Sequence, residues 1–268
     1  MVWLFVFAER EVKKALKTIV FINEKGGIGK TSCCFNIAWE MAKKKRILLL
    51  DLDGQRANLT YFCGMSKPDD LPTMYDVLQK NRKPAEAIKN IKENLDIIPA
   101  TVDVSGIGQT AKVSRMKQVI KEVSAEYDYC FIDVSPSPNW GQYLALSSSD
   151  FAIIPMLPDI ASLEADNGVI ESIQEVQHSS NSSLKVLGIL FNRNDNRTNM
   201  SKQVKAISEK FAEKLESKIF DSCIRNSVSM GENVYHHIGI TDYDTNSSVA
   251  EDVRQLVNEI ESDVLKNG

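Results

Sequence analysis

Short apolar runs alternate along this chain with longer segments in which apolar residues recur at helical spacing. The apolar runs predict strands at 18–23, 46–52, 95–99, 129–134, 151–155, 185–192 and 218–224. The amphipathic segments predict helices at 30–45, 74–79, 116–127, 162–177, 201–216 and 249–265. Strands that are apolar on both faces are typical of a parallel sheet with helices on each side. We therefore expect an α/β fold, a doubly wound, mostly parallel sheet with helices on both faces.

Domain organisation follows from the continuity of this pattern. No linker rich in Pro, Gly or Ser and no repeat interrupts the series, so residues 18–268 are predicted to form a single domain. Residues 1–17 precede the first predicted strand as an N-terminal leader. The apolar run of this leader, at 2–8, is too short to span a membrane and follows no basic stretch. We expect the leader to be an extra strand, a disordered segment or a docking segment for a partner.

Composition and charge limit the classes of function that this chain can have. The 268 residues carry a net charge of −4, and 25% of them are charged, as in an ordinary soluble globular protein. A protein that binds DNA over its whole surface is usually basic, so any contact with nucleic acid here requires a local patch. The five cysteines form no CxxC pair, and the three histidines lack zinc-ligand spacing. Reduced thiols in a cytosol are the simplest interpretation.

A glycine-rich segment, KGGIGKT at 25–31, directly follows the first predicted strand and opens the first predicted helix. Glycines let the backbone approach phosphate oxygens closely, and the N–H groups at a helix N-terminus stabilise the anion. Lys30 is expected to reach the β- and γ-phosphates, and the Thr31 hydroxyl to ligate Mg²⁺. The predicted nucleotide-binding residues of this loop are Lys25, Gly26, Gly27, Ile28, Gly29, Lys30, Thr31 and Ser32.

The loop departs from the standard phosphate-binding pattern at its first position. G-x-x-x-x-G-K-[ST] requires glycine at 24, where this chain has Glu24, and an additional lysine follows at Lys25. The resulting pattern, KGGxGK[ST], resembles the ParA/Soj/MinD family of P-loop NTPases, and the resemblance extends from about Thr18 to the last predicted helix. In that family the early lysine reaches across a dimer to the partner's nucleotide. The resemblance thus implies a catalytic role for Lys25 beside Lys30.

Two aspartates downstream match further family segments. Asp53 ends a stretch that resembles the family's D-x-D-P-Q, which implies that it positions or activates the attacking water. The family's proline is Gly54 here, so a looser loop is expected. Asp133 ends an apolar strand that looks like a Walker B strand, although Ser135 replaces a proline after it. The predicted metal ligands are Thr31, Asp53 and Asp133.

Asn192 lies where family members often use an asparagine to contact adenine. Asparagine at a strand end is equally typical of a turn, so both interpretations stay open. The resemblance also implies ATP and Mg²⁺ as cofactors and slow, partner-stimulated hydrolysis of ATP to ADP and phosphate. It implies a homodimer in the ATP state that binds double-stranded DNA non-specifically, stimulation by a ParB-like centromere-binding protein, and a cytoplasmic, nucleoid-associated location. Basic residues proposed for DNA binding are Arg197, Lys202, Lys205 and Arg225, with Arg193 and Lys210 as further candidates.

Two alternative functions stay open. Gly54 and Ser135 are compatible with a nucleotide-gated positioning scaffold or regulator that hydrolyses little ATP. A MinD-like positioning ATPase would end in a basic amphipathic helix that binds membranes. The predicted helix at 249–265 has an acidic polar face instead, which disfavours binding to an anionic membrane.

Overall fold

The computed structural model describes residues 15–55, 58–65, 72–195 and 199–267. Side chains are not described at 160–166, 199, 200 and 202. The first fourteen residues of the predicted leader lie outside the described residues, as does Arg197.

Eight strands of the described chain form one sheet. The strands are β1 (Lys17–Phe21), β2 (Ile47–Leu52), β3 (Lys89–Lys92), β4 (Leu95–Ile98), β5 (Tyr129–Val134), β6 (Phe151–Met156), β7 (Lys185–Asn194) and β8 (Ile224–Arg225). Their order across the sheet is β3-β4-β2-β5-β1-β6-β7-β8, and only the β3–β4 pair is antiparallel. The expected doubly wound, mostly parallel sheet is therefore confirmed.

Helices cover both faces of this sheet. In the described residues they are α1 (Lys30–Met41), α2 (Asn58–Phe62), α3 (Met74–Gln79), α4 (Pro84–Ala87), α5 (Val113–Val123), α6 (Trp140–Ser148), α7 (Ile160–Ser179), α8 (Asn199–Lys214), α9 (Ser229–Tyr235), α10 (Ile240–Tyr243) and α11 (Ser248–Asn267). A 3₁₀ turn, Val102–Gly106, follows β4. The strand predicted at 218–224 is reduced to one bridge between Ile219 and Ile189 and to the two residues of β8.

The strands are continuously apolar because alternate residues fill two separate cores. Val20 and Leu50 pack into a core with α5, α6 and α7 side chains, whereas Ile19 and Leu49 pack into the other core. The second core includes buried residues of α1 and α11. An ordinary half-solvated strand would need a polar residue at every second position, so this composition requires a covered sheet.

The last helix, α11, belongs to the core. Its residues Val253, Leu256 and Ile260 are fully buried. Two of the acidic residues noticed in the sequence, Asp252 and Asp263, are buried as well and form ion pairs with other parts of the domain. Within the part of the chain that the structure describes, no helix combines the length and the apolarity that crossing a membrane requires.

The register of the central strands brings distant polar residues to one edge. β5 lies between β1 and β2, with Phe21 opposite Asp133 and Asp51 also opposite Asp133. All three strands are parallel, so their carboxyl ends meet at the edge where the segments following β1 and β2 begin. Ligands bind at this edge in open α/β sheets.

We expect Phe131→Ala to lower the free energy of unfolding by about 3–5 kcal/mol. Phe131 is fully buried in β5, and its ring meets Phe21 edge-on with 5.5 Å between centroids. Urea denaturation measures the change. Val228→Ala is the control, since Val228 is 78% exposed and its loss should cost no more than about 0.5 kcal/mol. Equal effects of the two changes would contradict the central position of β5.

Candidate nucleotide-binding site

The segment between β1 and α1 forms a tight loop around its glycines. Gly27 and Gly29 have φ angles of 79° and 91°, in the left-handed region that glycine adopts without strain. A Cβ added at Gly29 would lie 2.2 Å from Asn192 Nδ2. Glycine is therefore required at 29 by both its dihedral angle and its neighbour, and α1 begins at the next residue, Lys30.

Asn192 stabilises this loop by a side-chain hydrogen bond. Its side chain is 4% exposed, and Nδ2 donates a hydrogen bond of 2.7 Å to the carbonyl oxygen of Ile28. This bond ties the end of β7 to the middle of the loop. The amide group therefore has a structural contact that the sequence did not suggest, and the adenine contact of Asn192 stays a prediction.

The loop borders a cavity of about 500 Å³, a volume typical of small-molecule sites. The predicted nucleotide-binding residues from Gly26 to Ser32 line it, together with Asp53. The structure adds cavity-lining residues that the sequence did not assign to this site, namely Gln55, Asn58, Phe62, Pro136 and Arg193. Arg193, which the sequence offered as a DNA contact, therefore lies beside the nucleotide cavity.

Two of the three predicted metal ligands, Thr31 and Asp133, meet at the first turn of α1. Thr31 Oγ1 donates a hydrogen bond of 2.7 Å to Asp133 Oδ2. Asp133 is fully buried, and among the described residues its Oδ1 has no hydrogen-bond partner. A hydroxyl and a buried carboxylate oxygen are the hard donors that Mg²⁺ prefers. The residues present therefore fit Mg²⁺, held by Thr31 and Asp133.

Burial dominates the electrostatics of this cluster. Desolvation raises the pKa of Asp133 well above its usual range, the nearby Asp51 raises it further, and the Lys30 ammonium and Thr31 hydroxyl partly oppose the change. Desolvation likewise lowers the pKa of Lys30, which Asp133 and Asp53 partly restore. Burial thus disfavours the charged form of each group. Phosphate oxygens beside Lys30 and a divalent cation beside Asp133 would favour those charged forms.

Asp53 follows β2 and lies in a compact loop. It is 5% exposed, and its Oδ1 accepts a hydrogen bond of 3.1 Å from Gln55 N. Gln55 Nε2 donates to Ser137 Oγ at 3.2 Å, which connects this loop to the segment after β5. A Cβ at Gly54 would lie 2.2 Å from Ser105 N. Gly54 thus allows close packing of the 3₁₀ turn on the loop, a reason for glycine that the sequence did not reveal.

Lys25 lies outside the residues that line the cavity. Its Nζ forms an ion pair with Asp159 Oδ1 at 3.0 Å, and its side chain is 26% exposed. Glu24, at the place of the missing first glycine, extends away from the loop to α7. Its Oε1 accepts a hydrogen bond of 3.0 Å from Ser172 Oγ, and its Oε2 lies where a Cβ of Gly168 would stand.

Among the candidate DNA-binding residues, the structure describes the side chains of Arg225 and Lys205. Arg225 is bound to Asp252 by two side-chain hydrogen bonds, of 2.6 Å to Oδ2 and 2.7 Å to Oδ1. Lys205 is exposed on α8. The backbone of Lys202 belongs to the same helix, but its side chain lies outside the described part, like the whole of Arg197.

We expect Gly29→Ala to weaken ATP binding at least about tenfold, because left-handed strain of about 1–3 kcal/mol and the clash with Asn192 would both open the loop. Calorimetric titration with ATP and Mg²⁺ measures the affinity. Gly231→Ala is the control, since a Cβ there meets no described atom within 4 Å. Unchanged affinity in Gly29→Ala would contradict this assignment of the loop.

The chain is similar to known proteins over most of its length. Residues 16–186 match the family model described as an AAA domain. The sporulation initiation inhibitor protein Soj of Bacillus subtilis is 32% identical over 91% of this chain and 98% of its own length. The virulence plasmid ParA family protein pGP5-D of Chlamydia psittaci is 30% identical over 94% of this chain and 97% of its own length.

Solved structures show the same fold at lower identity. Apo McdA from Cyanothece superposes with a TM-score of 0.82 at 21% identity and covers 93% of this chain and 99% of its own. A putative plasmid partition protein from Borrelia burgdorferi, bound to AMPPNP, superposes with a TM-score of 0.73 at 22% identity, over 95% of this chain and 100% of its own. The sequence matches and the geometry of the phosphate-binding loop together place the chain in the ParA/Soj family of partition P-loop ATPases.

Proposed function

We propose that this chain drives DNA partition by an ATP-gated cycle. It binds ATP and Mg²⁺, forms a sandwich homodimer in that state, and then binds duplex DNA non-specifically. A ParB-like centromere-binding protein stimulates slow hydrolysis, which releases the dimer and the DNA. The observation that carries the proposal is the position of Lys25, a second lysine that begins the phosphate-binding loop but lies outside the residues that line its cavity.

Nucleotide binding uses groups that already converge on the cavity. The backbone N–H groups of the loop and the start of α1 cradle phosphate oxygens, and Lys30 neutralises them from a buried position. Thr31 and Asp133 would hold Mg²⁺, which would supply positive charge to offset that of the phosphates. Asn192 keeps the loop in its phosphate-binding shape through Ile28.

Hydrolysis requires a group that orients a water molecule toward the terminal phosphate. Asp53 lines the cavity at the carboxyl end of β2, as a group with that role must. Asp53 is also the third predicted metal ligand, and it would contact the same Mg²⁺ ion as Thr31 and Asp133. Replacing Asp53 by Ala should leave ATP bound but not hydrolysed.

Dimerisation follows from the surroundings of Lys25. Its ion pair with Asp159 joins two partly exposed side chains, 26% and 44% exposed, and such pairs contribute little. A partner's triphosphate carries several negative charges and would attract the Lys25 ammonium more strongly than the Asp159 carboxylate does. Because a triphosphate is present only with ATP bound, this exchange makes the dimer depend on ATP.

DNA binding requires positive charge in a chain whose net charge is −4. Lys205 is exposed on α8, and two copies of this helix in a dimer would double any weak contact with phosphates. Lys202 and Arg197 are proposed to extend the same patch. Arg225 is a weaker candidate because Asp252 already neutralises its guanidinium. A protein that acts on DNA inside the cell also requires the proposed location in the cytoplasm at the nucleoid.

We expect Lys25→Ala to bind ATP and to remain monomeric. The loss removes the cross-dimer contact with phosphate, a charge-assisted bond worth about 1.5–3 kcal/mol, so dimerisation should weaken by at least about tenfold. Analytical ultracentrifugation with a slowly hydrolysed ATP analogue measures the dimer, and titration measures ATP affinity.

Lys44→Ala provides the matched control, because Lys44 is an exposed lysine just past the far end of α1. It should dimerise like the wild type. If Lys25→Ala dimerised equally well with the analogue, the cross-dimer role of Lys25 would be wrong.

A further inference from the structure

A buried hydrogen-bond network lies beneath the loop that carries Asp53. Asp51 is fully buried and accepts hydrogen bonds from Asp53 N at 2.9 Å, Thr60 N at 2.9 Å and Thr60 Oγ1 at 2.7 Å. Thr60 is 1% exposed, and its Oγ1 also accepts a hydrogen bond of 2.9 Å from Ala100 N. We call Asp51, Thr60 and the amides of Asp53 and Ala100 the Asp51–Thr60 network.

The hydroxyl of Thr60 is the group that joins separate elements in this network. A hydroxyl has one proton to donate and can also accept, and here it donates to Asp51 and accepts from Ala100. It thereby connects β2, α2 and the segment that follows β4. Serine preserves both bonds, whereas valine has nearly the same shape and makes neither. The connection therefore depends on the oxygen rather than on the volume of the side chain.

The segment after β4 also contacts the loop that carries Asp53. It continues from Ala100 into the 3₁₀ turn Val102–Gly106, whose backbone packs on Gly54. A Cβ at Gly54 would lie 2.2 Å from Ser105 N and 2.8 Å from the carbonyl carbon of Val104. The loop at 53–55 is thus held both by Asp51, through the amide of Asp53, and by the 3₁₀ turn, through Gly54.

We propose that Thr60 is a positioning residue, which acts through Asp51 and through the 3₁₀ turn to hold Asp53 where ATP hydrolysis requires it. The inference rests on the proposed function, because it concerns the reaction at the same site. Thr60 does not line the nucleotide cavity, so it acts only through these neighbours.

Loss of the Thr60 hydroxyl has two consequences for the loop. Asp51 loses one of its three donors, and the buried amide of Ala100 loses its acceptor. Displacing a catalytic group by about 1 Å costs roughly 100-fold in rate, and removing an outer supporting group from a metal site typically costs about 10–100-fold. ATP binding rests on the loop at 25–31 and on Lys30, which this network does not touch. The rate should fall while the affinity stays.

The experiment compares Thr60→Val, Thr60→Ser and Gly54→Ala with the wild type in ATP turnover and ATP affinity. We expect Thr60→Val to lower kcat about tenfold or more, with Kd for ATP within about threefold of the wild type. Thr60→Ser should restore most of kcat. Gly54→Ala should lower kcat similarly, since the added Cβ would push the 3₁₀ turn and the loop that carries Asp53 apart. Thr241→Val is the control, because Thr241 is 1% exposed and its hydroxyl contacts Lys43.

Hydrogen exchange at the amide of Asp53, which donates a hydrogen bond to Asp51, gives a second readout. Exchange that is faster at Asp53 than at amides of the core strands in Thr60→Val, but not in Thr60→Ser or Thr241→Val, would support the inference even if Thr60→Val were less stable. Wild-type kcat and unchanged exchange in Thr60→Val would overturn it. An inactive wild type, or an Asp53→Ala variant that hydrolyses ATP normally, would contradict the proposed function instead, and exchange alone would then decide whether Thr60 holds the loop.

Discussion

The site depends on stabilising two carboxylates that the sheet buries away from solvent. Parallel pairing puts Asp51 and Asp133 opposite each other on β2 and β5, both fully buried, and Lys30 enters the same region from α1. Desolvation raises the pKa of Asp51 to about 6 against the hydrogen bonds that stabilise its ionised form. Burying such groups is unfavourable unless they acquire partners. Within the described residues, Oδ1 of Asp133 has no hydrogen-bond partner. A bound cation would supply the missing partner and offset the cost of burying this oxygen.

The phosphate-binding loop was predictable from sequence because its requirements are local. Glycines with positive φ, a lysine and a hydroxyl residue lie within one short segment between a strand and a helix. The strand at 129–134 and the helix at 74–79 also match their predicted bounds, because each is a plain apolar or amphipathic pattern. The helix predicted at 30–45 ends earlier, at Met41, where the lysine-rich turn offers no further apolar face.

Contacts between distant segments could not be predicted in this way. β3 is a short polar edge strand, KNIK, without an apolar signal, and α6 follows the Pro-rich segment after β5. The bond from Asn192 to Ile28, like the packing of Ser105 on Gly54, exists only once the fold brings the two segments together. Gly54 is an example. A glycine in place of the family's proline predicted a loose loop, whereas Ser105 and Val104 pack closely against it.

The central claim is that ATP, by assembling a dimer through Lys25, creates a surface that binds DNA. The most direct test measures binding of duplex DNA by the purified protein without nucleotide, with ADP, with ATP and with a slowly hydrolysed analogue, at two salt concentrations. The account predicts binding only with ATP or the analogue, and a steep loss at the higher salt, since the contacts are made to phosphates. DNA binding that is equal in all nucleotide states, or absent from all of them, would contradict it.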